Sequence, residues 1–384
     1  MITKNIFLKS FPKKNNEKKI KKELNLILDE ENELFRSMSK KYHDSYNSNI
    51  IKKICNKRNI RLIGMGGSIL GSQAIFSFLK EKIKKEIHFI DNLKPLKKKN
   101  KKGGFTNIII SKSGNTLETI SNSNIYIKKK DNNIFITEKK PSYLLQLAYR
   151  LKAEIVNHNN FIGGRYSVLS EVGMLPAELM GLSPKKFRQF DSLVKNKKFL
   201  HSLVRNTNSI LHYLKRKKFN SVIINYDYRS DHLFQWYQQL VAESLGKKGK
   251  GILPIISSMP KDNHSVMQLY LDGFKKNFFT FFFCNDKNSN RLNKARLFDN
   301  YKYLGSSKIN EIMLKQKKAS EIVFASRNIP FRSFTIRNRK EETLGELFCY
   351  FILETILLGR ALNVNPFDQP SVELIKKETK KLFY

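Results

Sequence analysis

The stretch Asn-Ile-Ile-Ile-Ser-Lys-Ser-Gly-Asn-Thr-Leu-Glu-Thr at residues 107–119 joins an apolar run to a loop of glycine and hydroxyl side chains. A helical pattern begins near Leu117, so the order predicts a buried strand, a loop and a helix. The backbone N–H groups of such a loop and the positive end of the helix dipole point at one spot. The hydroxyls of Ser111, Ser113 and Thr116 add donors there. The stretch therefore predicts a phosphate site.

This loop differs from the phosphate loops of nucleotide-binding proteins. It has neither the Gly-Lys-Ser/Thr ending of a P-loop nor the Gly-x-Gly-x-x-Gly pattern of a dinucleotide fold. The phosphate is therefore expected to belong to a molecule smaller than a nucleotide. The alternative is a turn rich in Ser, Asn and Gly, in which Thr116 only caps the helix.

A second strand–loop–helix unit precedes this one. Arg61–Gly64 is a predicted strand, Met65–Ser68 a glycine and serine loop, and Ile69–Lys80 a predicted helix. Further elements are predicted as strands at 87–90, 134–137 and 154–156 and as a helix near 142–151. Strands that alternate with helices imply a parallel sheet covered on both faces, whose ligands sit beyond the carboxyl ends of the strands. Two loops with Ser and Gly at that edge strengthen the phosphate prediction.

The second half of the chain predicts another α/β domain. A chain of 384 residues is too long for one ordinary core and suits two domains. Strands are predicted at 222–226, 278–284 and 331–336, and helices at 232–245 and 343–362. The predicted organisation is a helical segment over residues 1–50, a first domain over 51–195 and a second domain over 196–384.

The net charge of +39 raises the question of nucleic-acid binding. The lysines are spread along the whole chain, with runs at 82–85, 97–102 and 127–130, and Lys, Asn and Ile are abundant together, as AT-rich coding produces. No aromatic RNA-binding motif, zinc knuckle or basic arm accompanies the charge, so no specific nucleic-acid partner is expected. A weaker interpretation is a positive field that attracts anionic substrates and holds polyanions non-specifically.

Export and membrane insertion are not expected from the sequence. The most apolar stretch, 278–284, has the length of a strand, and the first seven residues contain no long apolar run. Cys55, Cys284 and Cys349 are odd in number and widely spaced, which predicts neither a disulfide framework nor a metal site. A reducing cytoplasm is the simplest setting.

Two segments carry candidate catalytic groups. Gly163-Gly-Arg165 lets a backbone approach closely and holds an arginine, a planar anion clamp, in a fixed place. The alternative there is a surface turn with a solvated arginine. Gln239 and Glu243 lie four residues apart on a predicted helix and share a face, where a half-buried Glu243 could act as a general base. The alternative is an exposed helical glutamate.

Two further segments offer polar groups. His264 lies in a polar turn before a helix, where it could shuttle protons near neutral pH, although a lone histidine is more often structural or merely exposed. Gln369 follows a proline turn at the end of the long helix and could bind a sugar hydroxyl, with Lys376 two helical turns further on. In the alternative, Asp368 and Gln369 only cap the last helix.

Taken in order, these segments resemble the phosphoglucose isomerase family over about residues 60–384. The resemblance rests on Gly64-Met-Gly-Gly-Ser68, Ser111-Lys-Ser-Gly-Asn-Thr116, Gly163-Gly-Arg-Tyr-Ser167, Glu243-Ser-Leu-Gly-Lys247, His264 and Phe367-Asp-Gln-Pro-Ser-Val-Glu-Leu-Ile-Lys376. The third and the last of these are the more specific, because the wider sugar-isomerase superfamily shares the first two loops.

The resemblance implies the fold and the reaction. The fold would be α/β, with two sugar-isomerase-type α/β/α sandwich domains that each contain a mainly parallel sheet. The reaction would be the interconversion of glucose 6-phosphate and fructose 6-phosphate in glycolysis and gluconeogenesis, through a cis-enediol. No cofactor and no metal would be needed. A homodimer is implied, because in this family the active histidine reaches in from the partner subunit.

The resemblance also implies roles for individual residues. The phosphate would be held by the side chains of Ser68, Ser111, Ser113 and Thr116 and by the main chain of Lys112. Glu243 would be the base that moves the proton between C2 and C1, and Arg165 would stabilise the enediolate. His264 and Lys376 would help to open and close the sugar ring. Gly67, Gln239 and Gln369 would bind the substrate and the surroundings of the base.

Two departures from the family pattern bear on selectivity. Ser371 stands where a glycine is usual, beside Gln369. The sequence Ser-Gly-Asn-Thr at 113–116 also occurs in dual phosphoglucose/phosphomannose isomerases, so a dual enzyme stays open as an alternative. A non-catalytic sugar-phosphate-binding protein is a further alternative, but it would be expected to have lost its base, whereas Glu243 and His264 are present.

Overall fold

The strands form two five-stranded sheets in the computed structural model, which describes residues 1–14, 17–54, 57–95, 104–286 and 288–383. The strands are β1 (Ile6–Lys9), β2 (Asn59–Gly64), β3 (Glu86–Ile90), β4 (Thr106–Ile110), β5 (Asn132–Thr137), β6 (Glu154–Asn157), β7 (Asn220–Asn225), β8 (Leu253–Ser258), β9 (Asn277–Cys284) and β10 (Phe331–Ile336). Cys55 and the lysine run at 97–102 lie outside the described residues.

Helices connect and cover these sheets. They are α1 (Glu17–Leu28), α2 (Glu33–Met38), α3 (Ser48–Ile54), α4 (Leu70–Phe78), α5 (Leu117–Tyr126), α6 (Tyr143–Arg150), α7 (Glu171–Leu179), α8 (Pro184–Phe187), α9 (Phe190–Leu193), α10 (Lys197–Lys215), α11 (Asp231–Leu245), α12 (Met267–Asp272), α13 (Ile309–Ser326), α14 (Glu341–Ala361) and α15 (Val372–Lys381). Within the described ranges, no helix has both the length and the apolar character that crossing a bilayer requires.

The first sheet has the order β3-β2-β4-β5-β6, and every neighbouring pair is parallel. Alternate residues of β4 enter different cores, as the two-residue period of a strand requires. Ile108 and Ile110 pack with Val172 of α7, whereas Ile109 packs with Leu144 of α6 on the opposite face. Helices therefore cover both faces, which confirms the predicted α/β/α arrangement for this sheet.

The second sheet has the order β1-β10-β9-β7-β8, and all pairs except β1–β10 are parallel. Strand β9 is buried along its full length. Its residues Phe279 and Phe281 pack against Phe324 of α13, whereas Phe282 on the other face shares a core with Phe351 of α14. This sheet is also covered on both sides, so the predicted fold class is confirmed for both halves.

The first residues of the chain differ from the prediction. Residues 1–50 were expected to be helical, but Ile6–Lys9 form β1 at the edge of the second sheet, antiparallel to β10. Ile6 is fully buried there, and Phe7 on the opposite side of the strand is half exposed. Helices α1 and α2 follow the strand, as expected for this segment. The domain boundaries near residues 50 and 195 stay predictions.

Helix α11 lies where the two halves meet. It contacts α4, which follows the first loop of the first sheet, and also β8 and α14 of the second half. Its buried residues Trp236, Tyr237 and Leu240 belong to the largest hydrophobic cluster of the protein. The face that carries Gln239 and Glu243 is only partly buried. The fold therefore holds these two polar side chains beside the first sheet.

Candidate active site

The two hydroxyl-rich loops lie side by side because they follow neighbouring strands. β2 and β4 are adjacent and parallel, and Gly64 at the end of β2 pairs with Ile110 at the end of β4. A Cβ atom on Gly64 would lie 3.0 Å from the Ile110 carbonyl oxygen and 3.1 Å from Cβ of Ser68. The chain continues from β2 to β3 on one side and then to β4 on the other, so the strand order reverses at β2. In open parallel sheets, ligands bind at the carboxyl ends of the strands where the order reverses.

The second loop arranges its hydroxyls around Ser111. The Ser111 side chain is buried, with Oγ 2.9 Å from Oγ1 of Thr116, and it accepts a hydrogen bond from the Gly114 N–H at 3.2 Å. Ser113 is exposed at the mouth of the loop. Thr116 is the N-cap residue of α5 but makes no side-chain capping bond. The interpretation of Thr116 as a mere helix cap is therefore not supported.

Gly114 has the conformation and the space that only glycine tolerates. Its φ is +66°, and a Cβ atom would lie 2.2 Å from Oγ of Ser142. The Gly114 carbonyl oxygen accepts a hydrogen bond from the N–H of Leu144 in the first turn of α6. The loop is thus hydrogen-bonded to α6 on one side.

The side chain of Lys112 points away from the hydroxyls. Its Nζ donates to the carbonyl oxygen of Asn160 at 2.8 Å and lies 3.7 Å from Glu138. Burial lowers the pKa of Lys112 from its usual range, and the Glu138 carboxylate opposes that shift. This arrangement agrees with a main-chain contribution of Lys112 to the loop.

The paired glycines at 163–164 allow two backbones to touch. A Cβ atom on Gly67 would lie 2.2 Å from the carbonyl carbon of Gly164 and 2.5 Å from the Arg165 nitrogen. Residues Gly164–Leu169 form a short 3₁₀ helix that begins at this contact. The first hydroxyl loop and the segment that carries Arg165 are therefore packed directly against each other.

Arg165 is buried and fixed by hydrogen bonds on every side of its guanidinium group. Nε donates to Oγ of Ser244 at 2.8 Å, and NH1 donates to Oε1 of Glu243 at 3.1 Å and to Oε1 of Gln369. NH2 donates to the carbonyl oxygens of Pro366 at 2.6 Å and of Asp368 at 3.1 Å. This excludes the interpretation of Arg165 as a solvated surface residue.

Glu243 is held from two directions and keeps a partly open carboxylate. Oε1 accepts from Arg165, and Oε2 accepts from Nε2 of Gln239 at 2.9 Å. One fifth of the Glu243 side chain remains exposed. The buried Oε1 of Gln239 has no hydrogen-bond partner among the described residues. Gly66 packs closely against this glutamine, because a Cβ atom on Gly66 would lie 2.9 Å from Nε2 of Gln239.

The turn at 366–369 wraps around Arg165 rather than capping the last helix. Gln369 and two carbonyl oxygens of the turn accept from Arg165, and Lys247 pairs with Asp368 at 3.0 Å. The hydrogen bond from Lys247 and its charge lower the pKa of Asp368. The N-cap position of α15 is Ser371, which makes no side-chain capping bond. The interpretation of Asp368 and Gln369 as caps is therefore wrong.

Two predicted site residues lie outside this hydrogen-bonded network. His264 is exposed at the end of the 3₁₀ helix Lys261–His264, which follows β8. Lys376 lies on the exposed helix α15, where its Nζ pairs with Glu373 at 2.6 Å. The structure therefore brings together Arg165, Glu243, Gln239 and Gln369, but not His264 or Lys376.

Sequence reasoning missed a buried layer that supports Arg165. Oγ of Ser244 lies 2.8 Å from the hydroxyl of Tyr166, and that hydroxyl also donates to the Pro366 carbonyl oxygen. Trp236 donates from Nε1 to the main-chain oxygen of Arg165 at 3.1 Å. Tyr166 and Ser244 directly follow Arg165 and Glu243 in sequence, so adjacency to the catalytic candidates was an available signal.

The site offers hydrogen-bond donors for an anion, a cation and a carboxylate rather than a cluster of metal ligands. In the part of the chain that the structure describes, no group of three or more His, Cys, Asp or Glu side chains could hold a metal ion. Cys284 and Cys349 are buried free thiols, and burial raises the pKa of Cys349 to about 12. The chemistry within reach is proton transfer beside a fixed positive charge.

The chain is similar to proteins of known name over most of its length. Residues 18–383 match the family model described as phosphoglucose isomerase. A glucose-6-phosphate isomerase of Methanocaldococcus jannaschii is 33% identical over 85% of this chain and 84% of its own length. A glucose-6-phosphate isomerase of Campylobacter jejuni is 30% identical over 83% of this chain and 84% of its own.

Solved structures share the fold. A hypothetical protein from Thermus thermophilus matches with a TM-score of 0.81 and 22% identity, covering 96% of this chain and 94% of that chain. A glucose-6-phosphate isomerase from Chlamydia trachomatis matches with a TM-score of 0.75 and 16% identity, covering 96% and 84%. At such identities the likeness shows the fold alone.

Proposed function

The chain belongs to the phosphoglucose isomerase family and interconverts glucose 6-phosphate and fructose 6-phosphate, and we propose that it does so through a cis-enediol whose proton Glu243 carries. The observation that carries this proposal is the pair Arg165–Glu243, held at 3.1 Å with the carboxylate partly open beside the hydroxyl loops. Aldose–ketose isomerisation needs one base that removes and returns a proton, and a cation where negative charge develops.

Glu243 removes the proton from C2 of the open-chain sugar and returns it to C1. Each of its oxygens accepts one hydrogen bond from the protein, so the carboxylate is oriented while other lone pairs remain for the substrate proton. Arg165 stabilises the oxygens of the enediolate, and its buried hydrogen bonds preorganise it for that charge. Gln239 positions the base, and Gln369 contacts both Arg165 and the substrate hydroxyls.

The phosphate group of the substrate occupies the edge where the two loops meet. Ser68, Ser111, Ser113 and Thr116 donate side-chain hydrogen bonds, and the main chain of Lys112 contributes an N–H group. Gly67 binds the substrate beside them. The burial of Ser111 and its contact with Thr116 support this assignment, as does the start of α5 directly behind the loop.

His264 and Lys376 open and close the sugar ring in this proposal. His264 is supplied by the partner subunit of a homodimer, so its exposure within one chain agrees with a role in the partner's site. Lys376 must leave its pair with Glu373, which is exposed and therefore weak. The protein works in the cytoplasm, with a sugar phosphate as substrate and without a specific nucleic-acid partner.

The test is an assay of the purified chain with fructose 6-phosphate, in which glucose 6-phosphate is measured. The native chain is expected to form product, whereas Glu243→Gln should lose about 10²–10⁴-fold in turnover and still bind the sugar phosphate, because only the base is removed. The matched control is Glu378→Gln, an exposed helical glutamate paired with Lys381. Retained turnover in Glu243→Gln would remove Glu243 as the base.

A dual phosphoglucose/phosphomannose isomerase is the second candidate. The feature that favours it is the sequence Ser-Gly-Asn-Thr at 113–116, in which Oδ1 of Asn115 accepts from the N–H of Tyr143 at 3.0 Å. The same assay with mannose 6-phosphate decides between the two. Comparable rates on both sugars would select the dual enzyme.

A further inference from the structure

A second, basic groove lies away from the active site, at the amino end of the second sheet. Its volume is about 740 Å³, and it lies between the chain that follows β1, the carboxyl end of α10 and the start of β10. Five lysine and arginine side chains line it: Lys9, Lys14, Arg205, Arg216 and Lys218. No carboxylate is among the lining residues that the structure describes.

These five cations are not neutralised by ion pairs with described residues. Arg205 donates from Nε to the carbonyl oxygen of Phe11, and Lys218 donates from Nζ to the carbonyl oxygen of Lys275. Lys9 lies 4.8 Å above the ring of Phe331. The partners of these three side chains are thus neutral groups, which hold them in place but leave their charge available to a ligand.

The titration of two neighbouring groups reflects this uncompensated charge. Burial lowers the pKa of His212, which lines the groove, and the charges of Lys14 and Arg216 lower it further. Burial likewise lowers the pKa of Lys218, and Arg216 is among the cations that add to the shift. An anion in the groove would relieve this repulsion between like charges.

The groove itself has the size of a small-molecule site. Carboxylates first occur in the depressions that adjoin it, Glu23 on the side of His212 and Asp272 on the side of Lys218, each among further basic side chains. Pockets for small ligands typically measure about 300–1,000 Å³. A compact ligand would meet cations and no carboxylate within the groove, and the volume of the groove fits a ligand of that size.

The groove also offers apolar surface between its charges. Pro12, Ile329 and Phe331 line it together with the aliphatic stems of the lysines. We propose that this groove binds a small organic polyphosphate of the nucleoside triphosphate class, with the phosphates on Lys14, Arg205 and Arg216 and the organic body on the apolar floor. This site goes beyond the isomerase reaction and gives part of the high net charge a specific role.

ATP without magnesium is the probe, and binding is measured by calorimetry at fixed ionic strength because salt screens such contacts. The variant Lys14→Glu/Arg216→Glu should bind ATP at least about tenfold more weakly, since two cations become anions. The matched control, Lys128→Glu/Lys129→Glu, changes the net charge by the same amount on an exposed surface and should stay within about twofold. Both variants should retain isomerase turnover, which verifies that they fold.

Further measurements test the location of the site, the need for an organic group and the size of the ligand. The imidazole resonances of His212 should shift when ATP is added to the native chain. Equal weakening by both double variants, or displacement of ATP by excess fructose 6-phosphate, would overturn the site. Inorganic triphosphate that binds as tightly as ATP would overturn the organic body. A single-stranded oligonucleotide that binds more tightly than ATP and displaces it would overturn the choice of a small ligand.

Discussion

The two sheets have the same strand order, but the loops at the carboxyl ends of their strands differ in what they contact. In each, the first parallel strand lies inside the sheet, the second pairs on one side, the third on the other, and the fourth lies beyond the third. β2 and β7 therefore occupy equivalent places, as do β4 and β9. At the carboxyl ends of β2 and β4 lie glycine loops with hydroxyls, where we propose that the phosphate binds.

The equivalent edge of the second sheet is filled by an ion-pair network. Arg339 after β10 pairs with Asp227 after β7 at 2.6 Å and approaches Asp286 after β9 at 3.4 Å. Arg229 lies 3.5 Å from the same Asp286. Charged side chains of the protein thus form ion pairs with one another at the position where a ligand would have to bind. Topology therefore provides a crevice at the carboxyl edge of each sheet, whereas the loop residues decide whether that crevice binds a ligand or stabilises the fold.

The largest loss of stability is expected when the ion-pair network of the second sheet is broken. Asp227 is buried, and Asp227→Asn leaves the largely buried guanidinium of Arg339 without its bidentate partner. The free energy of unfolding should fall by about 3–5 kcal/mol, with Asp286 moderating the loss. Denaturant unfolding measures this, and turnover per folded molecule should not change. A stable variant with impaired turnover would contradict the structural role of this crevice.

The next effect concerns pH and the first sheet. His158 at the end of β6 is fully buried, and burial lowers its pKa to about 4 from the usual 6.5. The unfolded chain therefore binds a proton below pH 6.5 that the folded chain does not bind until about pH 4, so stability falls as the pH drops through this window. Between about pH 7.5 and pH 4.5 this loss amounts to about 2–3 kcal/mol.

The variant that isolates this effect is His158→Phe, which keeps a ring but cannot titrate. Its unfolding free energy should depend less steeply on pH than that of the native chain by the amount given above. Denaturant melts at the two pH values measure the difference. Parallel pH profiles for the two proteins would show that the imidazole is protonated equally in both states.

The smallest effect tests the first crevice itself. Ser111→Ala removes a buried hydroxyl that the phosphate would accept from, and hydrogen bonds to charged groups contribute about 1.5–3 kcal/mol. The KM for fructose 6-phosphate should rise by roughly 10- to 100-fold, with little change in unfolding free energy. The matched control is Ser326→Ala, an exposed serine at the end of α13 outside this loop, and it should leave the KM unchanged. Lost stability with an unchanged KM would make Ser111 a structural residue, like those of the second crevice.

Much of the first sheet and its site could be predicted from local sequence. The loops at 64–68 and 111–116 stood out because buried apolar strands lead directly into glycine and hydroxyl residues. Gln239 and Glu243 were paired by helical spacing, and their hydrogen bond confirms the shared face. The network around Arg165 could not be derived in this way, because it joins residues about 80 and 200 positions apart.

The elements that were missed depend on distant partners. β8 contains Pro254, which argues against a strand in a sequence, but β8 lies at the edge of its sheet, where proline is tolerated. β1 is only four residues long and is defined by its pairing with β10. Helix α13 has little amphipathic contrast, because only Lys317 and Phe324 are buried along it.

The position of β1 in the sequence also limits when the second sheet can form during translation. Ile6 pairs with Ile336, so the ribosome must add more than 300 residues before the partner strand exists. At about 5–20 residues per second this takes roughly 15–60 s, during which the first sheet can fold but the edge strand of the second sheet cannot. The apolar side of Ile6–Lys9 therefore stays without its final cover until the residues of β10 have been added. A chaperone that shields nascent apolar segments would have to cover Ile6–Lys9 throughout that interval.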